Sequence, residues 1–250
     1  MLVGVVLTGV LAVALWPRGA TPADEAQVRK DFETRTAAST RPDDAPAIPA
    51  PGIYRYVTTG SEELKLGVLP TETRPYPDSV SATLVDADTG CFTMTLNLLE
   101  QHGEDTTFCV DDGTIRLDRH EKRQQVGPLR PTAKMTCDPA VLVDPKNDSV
   151  PIDCKLALNG GPKQLNATLE GTSASNRSAA VTVDGTPVDA TEVTIDFKVT
   201  GDLTGTWREQ VWFSHTDALP LRITRDLHLD GLAAFTEKRD STLAGLDPER

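Results

Sequence analysis

Apolar and polar residues alternate with a period of two over most of the chain beyond residue 52. Tyr54, Tyr56 and Thr58 alternate with Arg55, Val57 and Thr59. Val80, Ala82 and Leu84 form one row, and Phe92, Met94, Leu96 and Leu98 the next. Ile115 and Leu117, Val181 and Val183, and Val193, Ile195, Phe197 and Val199 repeat the pattern, and Val211 and Phe213 follow Trp207 at even spacing. Leu219, Leu221 and Ile223 alternate with Pro220, Arg222 and Thr224, and Leu227 and Leu229 are read as continuing after a one-residue phase change at Arg225-Asp226. Each row describes a strand with one buried and one wet face. Turn signals such as Thr89-Gly90, Asp111-Asp112-Gly113, Asn159-Gly160-Gly161 and Asp184-Gly185 separate them. The spacing leaves no room for crossover helices, so the sheet is expected to be antiparallel and meandering.

The N-terminal part breaks this rhythm. Residues 2–16 are an uncharged apolar run closed by Trp16, Pro17 and Arg18. As a helix the run would span about 22 Å at about 1.5 Å per residue, short of a bilayer core of about 30 Å. A retained membrane anchor is favoured over a cleaved signal, because Ala20-Thr21-Pro22-Ala23 is a poor cleavage pattern. The run lacks the basic residues that normally precede such a segment, so a basic stretch is expected upstream of Met1. Thr21 and Pro22 are read as the cap and first residue of a helix reaching about residue 38. Its few apolar residues suggest a solvated stalk. Four prolines within residues 40–51 then suggest a semi-rigid spacer. The expected organisation is a membrane segment over 1–18, a juxtamembrane helix and linker over 19–51, and a β domain over 52–247.

Charge and cysteines set the surroundings. A net charge of −12 argues against nucleic acid as a partner. Cys91, Cys109, Cys137 and Cys154 contain no Cys-x-x-Cys pair, which excludes zinc-ribbon and thioredoxin-like readings. Of three pairings, Cys91–Cys109 and Cys137–Cys154 are favoured, since each encloses one hairpin or strand pair. Disulfides beside an apolar N-terminus place the domain outside the cytoplasm.

Residues 205–229 contain Val-Trp-Phe, a short polar turn and Leu-Pro-Leu-Arg-Ile. This hairpin resembles that of LolA-like periplasmic carriers and of mycobacterial-type lipid-binding lipoproteins. The stretch 52–62, with Arg74-Pro75-Tyr76-Pro77, resembles uncharacterised actinobacterial membrane-anchored proteins. The resemblance implies a mainly β fold, a curved antiparallel half-barrel with few short helices and a concave face for an acyl chain. The chain lacks the lipobox of the lipoprotein relatives.

No catalytic constellation is visible. Asp86-Ala87-Asp88-Thr89-Gly90 lacks the distal ligands of a calcium loop and reads as a turn. His102, His120, His215 and His228 show no metal-binding spacing and read as structural or solvated. Neither a metal nor a cofactor is implied. Candidate ligand-binding residues are Tyr54, Tyr56, Leu96, Phe197, Trp207 and Trp212, with one of the two tryptophans expected to face outward. The expected function is that of a non-enzymatic, single-pass, membrane-tethered cell-envelope domain binding a lipid or other apolar ligand. The alternatives are secretion after signal cleavage and a structural or protein-interaction module without a ligand cavity, docking an envelope protein.

Overall fold

A computed structural model of the chain describes residues 19–36, 48–67, 70–126, 129–161 and 163–249. Among the described residues it is mainly β, with fourteen strands and one helix. The helix, α1 (Glu25–Thr36), is followed by β1 (Gly52–Leu66), β2 (Glu72–Pro75), β3 (Ser79–Asp86), β4 (Cys91–Leu99), β5 (His102–Asp111), β6 (Thr114–Gln124) and β7 (Thr132–Cys137). Then come β8 (Val141–Val143), β9 (Ser149–Asn159), β10 (Leu165–Val183), β11 (Thr186–Gly201), β12 (Thr204–Ser214), β13 (Pro220–Asp230) and β14 (Ala233–Leu243).

Strand follows strand in antiparallel pairing, and the last strand returns to the first. β14 lies along β1 from Tyr56↔Leu243 to Leu66↔Ala233. Twelve strands therefore form a closed barrel, with β2 continuing the place of β3 along β1 and β8 that of β7 along β6. This corrects the expected open half-barrel. An open sheet would need helices over its concave face, whereas this sheet covers that face with its own opposite wall. Two glycines permit the curvature. Gly60 and Gly205 have positive φ, and a Cβ on either would lie 2.0 Å from the carbonyl oxygen of Lys238 or His228.

The apolar rows face inward and merge into one core. At one end Phe108 packs tilted against Phe92 and edge-to-face against Phe213, with ring centroids 5.6 and 5.2 Å apart, in the same core as the fully buried Tyr56 and Leu84. Cys91 pairs with Cys109 across β4–β5, and Cys137 with Cys154 across β7–β9. Outward rows such as Arg208, Asp226 and Lys238 are exposed and charged, unlike the apolar belt of a lipid-facing barrel.

Helix α1 is not the expected solvated stalk. Asp24, not Thr21, caps it, its Oδ1 accepting from Ala26 N at 2.9 Å, while Pro22 bridges to Leu99. The helix packs on β3 through buried Val28 and through Glu25, which accepts from Arg55 at 2.6 Å and Ser81 at 2.7 Å. Polar contacts attach it, which an apolar-stripe criterion does not detect. No helix among the described residues is long and apolar enough to cross a membrane. Residues 2–16 lie outside the described residues. The single-pass membrane location and the membrane as partner thus have no helix among the described residues to rest on, and both expectations are dropped.

Candidate functional site

The alternation that builds the barrel also carries charge into it. Glu62 on β1 follows Tyr54, Tyr56 and Thr58 on the inward row, and Glu237 lies opposite it on β14. Arg225 sits between Ile223 and Leu227 on the inward row of β13. The expected phase change there does not occur, and Arg225 is 4% exposed. Glu104 on β5 faces Lys122 on β6 in register. Arg239 follows Glu237, and Glu209 lies inward on β12. Near the middle of the barrel these side chains meet across the interior.

The resulting belt is closely paired. Lys122 Nζ lies 2.6 Å from Glu237 Oε2 and 3.6 Å from Glu104 Oε1. Glu104 also accepts from Arg225 Nη1 and, at 3.1 Å, from Arg239 Nη2. Arg225 Nη2 reaches Glu209 at 2.8 Å. His102 lies between two carboxylates, Nδ1 2.6 Å from Glu62 and Nε2 3.0 Å from Glu104, an arrangement fully satisfied when both nitrogens donate. Arg74 pairs with Glu62 at 3.2 Å and with Glu72 at 2.8 Å. Burial alone would raise the Glu104 carboxyl, but the Arg225 and Arg239 guanidiniums hold it well below the usual range. Burial likewise opposes ionisation of Glu237, and Lys122 and Arg225 reverse this. Glu62 is lowered chiefly by His102 against the same burial penalty.

Beyond the belt the barrel opens into an apolar cavity of about 190 Å³. Leu64, Leu158, Leu165, Leu229 and Ala233 wall it, and Leu129 and Leu232 lie toward the exposed rim. His120, Lys122, Gln124, Trp207 and Phe235 also line it on the side of the belt, Lys122 Nζ lying 4.2 Å from the Phe235 ring centroid. Burial and the nearby Arg225 charge push His120 down to about 4, so its ring is neutral near pH 7. Several buried polar atoms of the belt and cavity have no hydrogen-bond partner among the described residues, among them His120 Nε2, Gln124 Oε1 and Arg239 Nε.

His102, Glu104 and Glu237 bring three potential ligand atoms within 4.8 Å of one another. A metal ion fits them poorly. The same oxygens already face Lys122, Arg225 and Arg239, so three fixed cations supply the charge an ion would bring. The cluster nevertheless overturns the expectation that no acid–base constellation exists. The sequence shows no such grouping because the cluster and its partners come from β1, β2, β5, β6, β12, β13 and β14. A charged residue on an inward row, as at Arg225, is the signal that would have revealed it.

The sequence-proposed ligand residues separate. Tyr54, Tyr56, Leu96 and Phe197 are buried in the core, and Tyr56 OH donates to Pro220 O at 2.5 Å. Trp207 alone of the six lines the end cavity. Trp212 faces outward, half-buried, with the Arg222 guanidinium 5.0 Å from its ring centroid.

Comparison with protein-family models, with curated proteins and with solved structures gives no match in any of the three. The closed ring, with no long apolar helix among the described residues, overturns the resemblance to LolA-like carriers, to lipid-binding lipoproteins and to membrane-anchored actinobacterial proteins. The membrane-tethered lipid carrier, its single-pass extracytoplasmic placement and the envelope-protein partner lose their support without a span among the described residues, and the end cavity overturns the module without a ligand cavity.

Proposed function

We propose that the barrel binds a small, compact organic molecule in its end cavity, with the ionic belt as a rigid floor. The observation that carries this reading is the apolar space of about 190 Å³ that ends on Lys122, itself locked to Glu237 and Glu104. A dry apolar cavity of about 150 Å³ holds benzene, and drug-sized ligands occupy about 300 Å³ or more. The space therefore suits one ring or an equally compact chain and is small for a long acyl chain. A floor held by charge pairs is preorganised, so little ordering is needed on binding. Toluene is a suitable probe, with a Kd on the order of 0.1–1 mM for a ligand of its size. Titration followed by ligand-observed NMR should saturate in wild type and disappear when Leu158→Trp fills the cavity. Non-saturable signals, or binding unchanged in a folded Leu158→Trp variant, would sink the reading.

A second reading, acid–base chemistry, is favoured by His102 held between Glu62 and Glu104, a geometry suited to carrying a proton. A substrate in the cavity would meet the belt first at Lys122 and Gln124, which are bonded to those carboxylates. Conversion of a bound compound by wild type but not by His102→Gln would establish this reading.

A further inference from the structure

The end cavity does not stop abruptly at its floor. His120 and Trp207, whose ring centroids are 5.5 Å apart, line it on one side and a second space of about 20 Å³ on the other. That inner void is also bounded by Thr106 and Glu209. Its volume suits a single water or hydroxyl oxygen, for which about 10–15 Å³ suffices. His120 and Trp207 thus belong to the lining of both spaces.

The residue shared by the two spaces, His120, has an unmet polar demand. His120 is 4% exposed, and its Nδ1 lies 2.9 Å from Thr106 Oγ1, while its Nε2 has no partner among the described residues. Glu209, which also lines the void, has its Oε2 already engaged by Trp207 Nε1 at 3.0 Å and by Arg225 at 2.8 Å. Resting on the end cavity as the ligand site, we propose that its ligand is a ring-sized apolar molecule bearing one hydroxyl, and that His120, which lines that cavity, is the hydroxyl subsite. A hydroxyl donates and accepts, so it satisfies Nε2 in either tautomer of the ring. A carboxylate would place further negative charge beside Glu209 and Glu104, and an ammonium would face Lys122 and Arg225, which are already paired. Both are penalised in a buried site without a free counter-charge.

Phenol and toluene differ at one position, hydroxyl against methyl, and benzoate supplies the charged control. A cavity that is apolar throughout prefers toluene, because removing a hydroxyl from water without a partner is unfavourable. A hydroxyl subsite reverses the order. We expect phenol to bind wild type about tenfold more tightly than toluene, the ratio set by leaving one buried polar atom unpaired, and benzoate more weakly than either. In His120→Phe the phenol-to-toluene ratio should fall to about one or below. Toluene matching or exceeding phenol in wild type would overturn the hydroxyl subsite while leaving the cavity reading intact. A phenol preference that survives in His120→Phe would overturn the role of His120. Failure of all three probes to bind would overturn the cavity reading and the subsite together. The wild-type comparison needs no variant to fold.

Discussion

At one end of the barrel, Phe92, Phe108 and Phe213 interlock with Leu84 in a core without charged members. Toward the other end, four cations (Arg74, Lys122, Arg225 and Arg239) meet five carboxylates (Glu62, Glu72, Glu104, Glu209 and Glu237), and the cavity lies beyond them. Both regions use inward rows of the same strands. Packing of shapes stabilises the first, and matching of charges the second. A wide barrel shows why both devices are present. Leucine-sized side chains do not span such an interior everywhere, whereas glutamate and arginine are long enough to meet across it. Charge pairing also makes the belt stiff, so the cavity beyond can stay open without collapse of its floor.

The contrast breaks most severely at its charged member. Glu104→Gln leaves Arg225, Arg239 and Lys122 short of a carboxylate and should destabilise the fold by about 3–5 kcal/mol in urea unfolding. A loss below about 1 kcal/mol would show that the belt is not held by matched charge.

Leucine truncations sharpen the difference between packed and open regions. Leu84→Ala removes a fully buried side chain from the packed end and should cost about 2–5 kcal/mol. Leu158→Ala enlarges a space that already exists and should cost nearer 1 kcal/mol, since its side chain faces empty volume on one side. Equal losses in the same unfolding series would argue that the cavity wall is packed like the core.

Acid should act on the second region alone. His120 titrates at about 4 in the fold and at about 6.5 when unfolded. Its contribution is fully present above pH 6.5 and is lost as pH falls toward 4, in total about 3 kcal/mol. Glu62, Glu104 and Glu237, all lowered in the fold, add their own losses below about pH 4.5. Thermal melts from pH 7 to 4.5 should show a falling Tm in wild type and a flatter profile in His120→Phe. An identical slope in both would remove His120 as the cause.

The packed end was legible in the sequence because alternation reports burial directly, as for Phe92, Met94 and Leu96. The belt was not, because a charge on an inward row looks like an interruption. Arg225 looks like a change of phase, although Leu221, Ile223, Leu227 and Leu229 keep one parity across it. Glu62 and Glu237 belong to stretches whose alternation mixes charges with apolar residues, and Lys122 and His120 follow a register shift in β6 opposite Thr107 and Phe108. Closure was hidden for a different reason. Whether a twelve-strand sheet curls into a ring depends on how β1 and β14 meet, and no local pattern encodes the pairing of residue 56 with residue 243.

That last pairing has a consequence for how the molecule is made. The seam between β1 and β14 joins the earliest strand to the latest, so it closes only after the whole sheet has been synthesised. Until then residues 56–66 present a free sheet edge, the surface on which strands of different molecules can pair. Once the seam is shut, the ring of strands has no preferred beginning. Its order would be the same in a circularly permuted chain opened at the Asp184-Gly185 hairpin turn.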